Sequence, residues 1–447
     1  MNKHKNENKL APKLRFPEFT DFWKTEQLSN LLDYERPDSY IVKDTNYISD
    51  GTPVLTANKS FILGYTQETF GICNDIPAII FDDFTVDKKF VNFPFKVKSS
   101  AIKILRPKGK NDLKFIFELM SLIRFEAKEH KRYYISAYQN ITIPIPLPQE
   151  QQKIAATLSS LDDLITAERQ KLDVLKAHKK GLLQNLFPKM SESEFTGLKN
   201  EQNEENKKFR KSSNSVNSDS DNVPKVRFKE FEGSGEWEVK TLGEIYEFKV
   251  TNSFSRDCLN YQDGSVKNIH YGDIHTKFNT LFDIAKERVP FINSDISIDK
   301  IKADCYCQEG DIIFADASED LNDVGKSIEV VNLNNENLVS GLHTILARQK
   351  VMILQIGFGG YLFKSDWIRK QIQRESQGAK VLGISASRIS GIKIKFPKNK
   401  KEQQKIATTL SSIDELITAQ SQKIEALQVH KKGLLQGLFP NINEQNG

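Results

Sequence analysis

The sequence predicts an α+β protein built from two globular domains, each followed by one long α-helix. Three observations carry this. A segment of 40 residues occurs twice, from Gln149 to Pro188 and from Lys401 to Pro440, and 28 of the 40 aligned positions are identical at an offset of 252. Both copies place apolar residues at alternating steps of four and three, the heptad pattern of a coiled coil. The unlike sequence before each copy holds strand-like runs and then a late helical run, as one fold bearing divergent loops would.

Taken in order, the first domain spans residues 1–148. It opens on Pro12-Lys13-Leu14-Arg15-Phe16-Pro17-Glu18-Phe19, which recurs as Pro224-Lys225-Val226-Arg227-Phe228-Lys229-Glu230-Phe231. Trp23 and Leu28 correspond to Trp237 and Leu242. A variable region, 30–137, contains a strand-like run at 77–81 and a helical run at 113–130. Ile135-Ser136-Ala137 then leads into a short alternating strand, ITIPIPLP. The first long helix is expected over 149–188. Residues 189–222 are rich in Ser, Asn, Lys and Glu and read as a flexible linker. The second domain, 223–398, repeats the plan: a variable region at 245–386, a strand-like run at 311–314 and a helical run at 365–376. Ile384-Ser385-Ala386 leads into SGIKIKFP. The second long helix is expected over 399–440, and 441–447 is a frayed tail.

The seam of the first helix runs Ile154, Leu158, Leu161, Ile165, Leu172, Leu175, Leu182, Leu186. That of the second runs Ile406, Leu410, Ile413, Ile417, Ile424, Leu427, Leu434, Leu438. Both are interrupted at matched places, by Glu168 or Gln420 and by Lys179 or Lys431. Polar seam residues cost stability but fix register, so matched interruptions favour two helices packed on each other over helices with unrelated partners. Pro148 and Pro397 precede the helices, and Pro188 and Pro440 end them. Leu164, Leu183, Phe187, Leu416, Leu435 and Phe439 lie off the seam. An isolated two-helix rod would leave them wet, so they form a candidate partner-docking surface, with packing on the chain's own domains as the alternative.

Composition sets bounds. With 38% hydrophobic and 10% aromatic residues the chain can bury real cores. No run approaches the roughly 20 apolar residues of a membrane span, and the polar N-terminus lacks a secretory h-region. Cys73, Cys258, Cys305 and Cys307 show no framework spacing, which suits a reducing cytoplasm. A net charge of +5 permits nucleic-acid binding only through a local patch, because acidic residues are abundant too.

Cofactor chemistry is poorly represented. No Walker-type loop occurs, and no strand–GxGxxG–helix unit. Gly357-Phe358-Gly359-Gly360 reads as a turn. His270, His275, Cys305 and Cys307 match no standard zinc spacing. Asp75, Asp87 and Lys89 give a loose nuclease-like D…DxK, but Asp83 and Asp316 close corresponding IIF strands and look like shared fold positions. No residue is therefore assigned a catalytic or metal role. Basic and aromatic clusters are better candidates. Lys131, Arg132 and Tyr133 precede the shared Ile-Ser-Ala, and Tyr138 and Gln139 follow it. Lys380 and Arg388 flank the same junction in the second half. Asn58, Lys59 and Ser60 occupy one polar loop, Tyr271, Asp273, His275 and Lys277 another, and His343 follows Gly341 in a similar setting. Lys and Arg neutralise phosphates or read guanine, Asn and Gln pair with adenine, and aromatic rings stack.

The duplicated EQQKIA…LSS(L/I)D(D/E)LITA…HKKGLLQ(N/G)LFP helix and the Trp…Leu opening motif resemble the specificity subunit of type I restriction–modification systems. HYGDIHTK (270–277) and SGLHTILAR (340–348) also resemble second-domain sequences of that family. The resemblance implies that each variable region is a target recognition domain reading one half of a bipartite double-stranded DNA site. It implies that the helices pair antiparallel with pseudo-two-fold symmetry and act as a ruler. A helix of about 35 residues is about 50 Å long, enough to span neighbouring major grooves about 34 Å apart. It also implies two modification subunits, which bind S-adenosylmethionine, and two restriction subunits, which use ATP and Mg²⁺, with no cofactor held by this chain. A specificity subunit of a related restriction architecture and a coiled-coil adaptor without DNA readout are the other readings.

Overall fold

The computed structural model describes residues 10–58, 60–189, 222–299, 301–378 and 380–440. The expected linker lies outside these residues except at its two ends, and the expected tail lies wholly outside. The chain forms two compact units, Met1–Lys171 with Gln420–Gly447, and Leu172–Ala419. Each unit thus owns the first part of one long helix and the last part of the other.

In the first unit, strands Leu32–Glu35, Ile102–Pro107, Ala78–Asp82 and Lys88–Val91 lie side by side in that order, all antiparallel. Ala78–Asp82 is buried at every position because both its faces are covered. Ile79 and Phe81 face a core with Phe115, Ile116 and Leu119 of the helix Leu113–Leu122. Ala78 and Ile80 face a second core with Leu55 and Val97 of a smaller sheet. The second unit repeats this. Its sheet runs Tyr246–Lys249, Thr344–Gln349, Ile312–Ala315, Ser327–Asn332, with Leu281–Asp283 added parallel at one edge. Ile312 and Phe314 face one core, Ile313 and Ala315 another. The registers also agree: Ile79 pairs with Leu105, and Ile312 with Ala347.

The helical run expected over 113–130 forms only Leu113–Leu122, capped by Asp112, whose carboxylate accepts the Phe115 N–H. The chain becomes extended at Ile123. Phe125 then packs against Tyr133 and Tyr138, with ring centroids 5.4 Å apart in each case. In the second half the run expected over 365–376 forms Asp366–Glu375.

The long helices are Pro148–Asn185 and Lys400–Leu438. All sixteen seam residues are buried or half-buried. In the first unit Glu168 meets Gln420, Asp162 meets Lys431, and Ile154 and Leu158 share a core with Leu438 and Phe439. One index falls as the other rises, so the helices run antiparallel. In the second unit Lys179 meets Asp414, and Leu186 and Phe187 share a core with Ile406 and Leu410, again antiparallel. The polar seam interruptions are therefore partnered. Lys431 lies 2.6 Å from Asp162 and also reaches Glu118. Lys179, its counterpart, reaches Asp414, which accepts from the Tyr361 hydroxyl at 2.8 Å.

Each domain is clamped to its helix by the same residues. Arg15 grips Glu150 with two bonds of 2.8 Å, and Arg227 grips Glu402 with two of 2.7 Å. Gln151 and Gln403 donate to the carbonyls of Pro146 and Pro397. The opening motif closes each unit on the end of the second helix it holds: the Leu14 N–H donates to the Gly437 carbonyl and the Val226 N–H to that of Asn185.

Candidate nucleic-acid interface

Base and phosphate contacts need side chains that solvent reaches. Of the candidates, Asn58, Ser60, Lys131, Arg132, Lys277, His343 and Lys380 are exposed, and Gln139, Tyr271, His275 and Arg388 are half-buried. Lys59 lies outside the described residues. Lys131 pairs with Glu129 at 2.7 Å, and Arg388 lies 3.6 Å from Glu375, so both are positioned by a neighbouring carboxylate.

Three candidates are corrected. Tyr138 is fully buried, its ring 4.8 Å from that of Phe81. Tyr133 is buried too, and its hydroxyl bonds the Glu129 backbone at both N–H and carbonyl. These rings are core, because the Ile-Ser-Ala junction folds back over the end of the strand Ala78–Asp82, and they present no face to a base. Asp273 is also buried. It is held by Arg256 at 2.7 Å and Lys277 at 2.7 Å. Burial opposes its charge, but Arg256 and Lys277 outweigh that and hold its carboxyl below the usual range. Asp273 therefore fixes two cations rather than contacting DNA itself. No local sequence pattern points to Arg256, which lies 17 residues from the residue it pairs with, Asp273.

The off-seam apolar residues divide likewise. Phe187 and Phe439 are buried edge-on against Trp237 and Trp23. Leu183 and Leu435 pack partly on the same cores. These four seat the chain's own opening motifs, so a partner-docking role for Phe187 and Phe439 is excluded by burial. Leu164 and Leu416, one repeat apart, remain 43% and 55% exposed.

In the second unit the two sequence-flagged segments come together. The ring of Tyr271 lies 4.6 Å from His270, 6.0 Å from His275 and 5.3 Å from His343. His343 Nδ1 is 3.2 Å from Asp316 Oδ1. His275 Nε2 bonds the Ala317 carbonyl at 3.1 Å. Burial, and then Arg256, push the His270 imidazole pKa down. The His270 Nδ1 accepts the Gly272 N–H at the start of the short helix Tyr271–Thr276. Burial raises the Asp316 carboxyl, while His343 draws it back. Cations, imidazoles and an aromatic face converge here without a group of three or more His, Cys, Asp or Glu able to hold a metal among the described residues.

Comparison with known proteins agrees with this architecture. The family described as "Type I restriction modification DNA specificity domain" matches residues 2–177 and 234–429. The specificity subunit of the Escherichia coli type I restriction enzyme EcoR124I/EcoR124II is 43% identical over 141 residues, 30% of this chain and 35% of that subunit, so this match spans about a third of each. The MjaVIII specificity subunit of Methanocaldococcus jannaschii is 25% identical over 439 residues, 94% of this chain and 90% of that one. The fold matches the crystal structure of the type I restriction–modification S subunit from M. genitalium with a TM-score of 0.58 at 14% identity, over 96% of this chain and 99% of that one. A family match over both halves, on a fold repeated in both units, leads to one conclusion: the chain belongs to the type I restriction–modification DNA specificity family.

Proposed function

We propose that this chain is the DNA sequence-specificity subunit of a type I restriction–modification complex. Each domain reads one half of a bipartite double-stranded site, and the antiparallel helices set the spacer between the halves. The chain is non-catalytic and acts in the cytoplasm. Two modification subunits supply S-adenosylmethionine-dependent methylation, and two restriction subunits supply ATP- and Mg²⁺-dependent translocation and cleavage.

One observation carries the reading: a scaffold used twice with unlike loops. The Arg–Glu clamps and seam ion pairs are the same in both units. The loops that differ are those a reader of two unlike half-sites must vary. Leu164 and Leu416 supply repeated apolar contacts for two equivalent partners.

The test is methylation mapping across a genome. Replacing residues 30–137 with those of another such subunit changes one half-site only; a change in both halves refutes the modular reading. Adding one heptad to each long helix lengthens the spacer, and an unchanged spacer refutes the ruler. A steep fall of duplex affinity with salt separates DNA binding from a protein-only adaptor.

A further inference from the structure

The two units treat one equivalent position in opposite ways. The residue after the buried strand Ala78–Asp82 is Asp83, and the residue after its counterpart Ile312–Ala315 is Asp316. Its N–H donates to the carbonyl of Ala101 at 2.9 Å in one unit and of His343 at 3.0 Å in the other. Asp83 is 1% exposed. It is consumed by the fold, accepting from the Tyr134 N–H at 2.8 Å and lying 3.5 Å from Lys103 Nζ. Its neighbour Ala101 offers no functional group. Asp316 instead turns to the His343 imidazole, and the His343 side chain is 51% exposed.

His343 also sits at φ +55°, in the left-handed region. A non-glycine residue there is uncommon and costs free energy, so the surrounding structure must hold it. Thr344 and the strand that follows are locked into the central sheet, and Tyr271 packs edge-on against the imidazole. With Nδ1–H donating to the Asp316 carboxylate 3.2 Å away, Nε2 is left as the hydrogen-bond acceptor of the tautomer that this contact favours. Among the described residues Nε2 makes no hydrogen bond. Arg256, on the 3₁₀ turn Arg256–Cys258, and Lys277, just past the helix Tyr271–Thr276, are both partly exposed and are fixed by the same carboxylate, Asp273.

We infer that His343, held by Asp316 and Tyr271, is a base-reading residue of the second unit. Its Nε2 accepts from the exocyclic amino group of an adenine or cytosine in the major groove, while Arg256 and Lys277 hold the adjoining phosphates. This rests on the proposed function, and it adds a named reader to one half-site and its absence from the equivalent place in the other. An acceptor discriminates against guanine and thymine, which present acceptors at that edge.

The experiment uses the full complex with its modification subunits, in cells, read by methylation mapping. The wild-type chain is first compared with its deletion: loss of a bipartite methylation motif establishes the underlying reading, and no change refutes that reading itself. His343→Gly then removes the imidazole while keeping the left-handed backbone, so the fold survives. The expected result is relaxation at one position of one half-site, with discrimination there falling by roughly tenfold to a hundredfold, and the other half unchanged. Asp316→Asn relaxes the same position. An unchanged motif with His343→Gly, a change in the other half-site, or loss of all methylation overturns the proposal. In duplex binding, Lys277→Ala weakens all sequences alike and flattens the salt dependence; a sequence-selective loss instead overturns the assignment of Lys277 to phosphate.

Discussion

Glu168 and Gln420 occupy the same place in the two copies of the repeat, and they touch each other. Gln420 Nε2 donates to the Glu168 backbone carbonyl at 3.0 Å and to its carboxylate, across a separation of 252 residues. In an antiparallel pair only the crossing point brings a position onto its own counterpart. The pair is thus the centre of the helical repeat, and it is chemically unequal, acid facing amide, with Lys423 completing the acid's neighbours.

That centre makes a first prediction. Gln420→Leu removes the amide from the Glu168 carboxylate, leaving it against a leucine with Lys423 as its remaining partner, and lowers the melting temperature. Replacing both residues by leucine raises it above the wild type, since polar seam residues cost stability while specifying register. Thermal unfolding of the single and double variants checks this, and an additive result removes the coupling.

The domain clamps make a second. Glu402→Ala leaves Arg227, 9% exposed, without its partner and costs the second unit about 3–5 kcal/mol. The two clamps differ in one respect. Trp23 Nε1 donates to Glu150 at 3.2 Å, whereas Trp237 Nε1 is buried and has no partner among the described residues. Trp23→Phe therefore costs about 1 kcal/mol more than Trp237→Phe, measured by denaturant unfolding.

These contacts show what the sequence could and could not disclose. The helix seam was legible because its period is local and repeats. Arg15 and Glu150 stood out as shared by both halves, but 135 residues separate them and no local pattern announces their contact. In the sequence Tyr133 and Tyr138 read as a stacking surface, because aromatics beside basic residues suit nucleic acid. They serve the core because the Ile-Ser-Ala junction folds over Phe81. The sequence leaves Phe187 and Phe439 open to either a partner or the chain's own domains, because the helical pattern describes two helices and omits the opening motif that covers their ends. The correspondence of Asp83 with Asp316 was visible in the IIF strands, whereas the left-handed backbone of His343 was not.

Glu329 sets a pH dependence. It is buried beneath Gly357 and the start of the helix Phe358–Leu362, where the glycine cluster expected as a turn opens a helix instead, and it accepts the Gly357 and Gly360 N–H groups at 3.0 and 2.6 Å. Burial raises its carboxyl from 4.5 to about 7, against the pull of the Gly360 and Gly357 N–H groups. A folded pKa above the unfolded one means its contribution is complete below about pH 4.5 and is lost as pH rises through about 7. The melting temperature of the second unit's core in the intact chain should therefore fall from about pH 4.5 to about pH 7 by more in the wild type than in Glu329→Gln. Equal slopes in the two proteins would remove Glu329 as the cause.

Leu164 and Leu416 give the last prediction. They share one repeat position, and both remain exposed while the neighbouring seam residues Ile165 and Ile413 are buried. Neither contributes to a core, so Leu164→Lys and Leu416→Lys leave thermal unfolding within about 0.5 kcal/mol of the wild type. If they are the repeated contacts for two equivalent modification subunits, each substitution alone removes one subunit and the pair removes both. Native mass measurement of the reconstituted complex reads this directly: two copies for the wild type, one for either single variant, none for the double. Retention of two copies by the double variant would place the docking surface elsewhere, with the clamps and the seam unaffected.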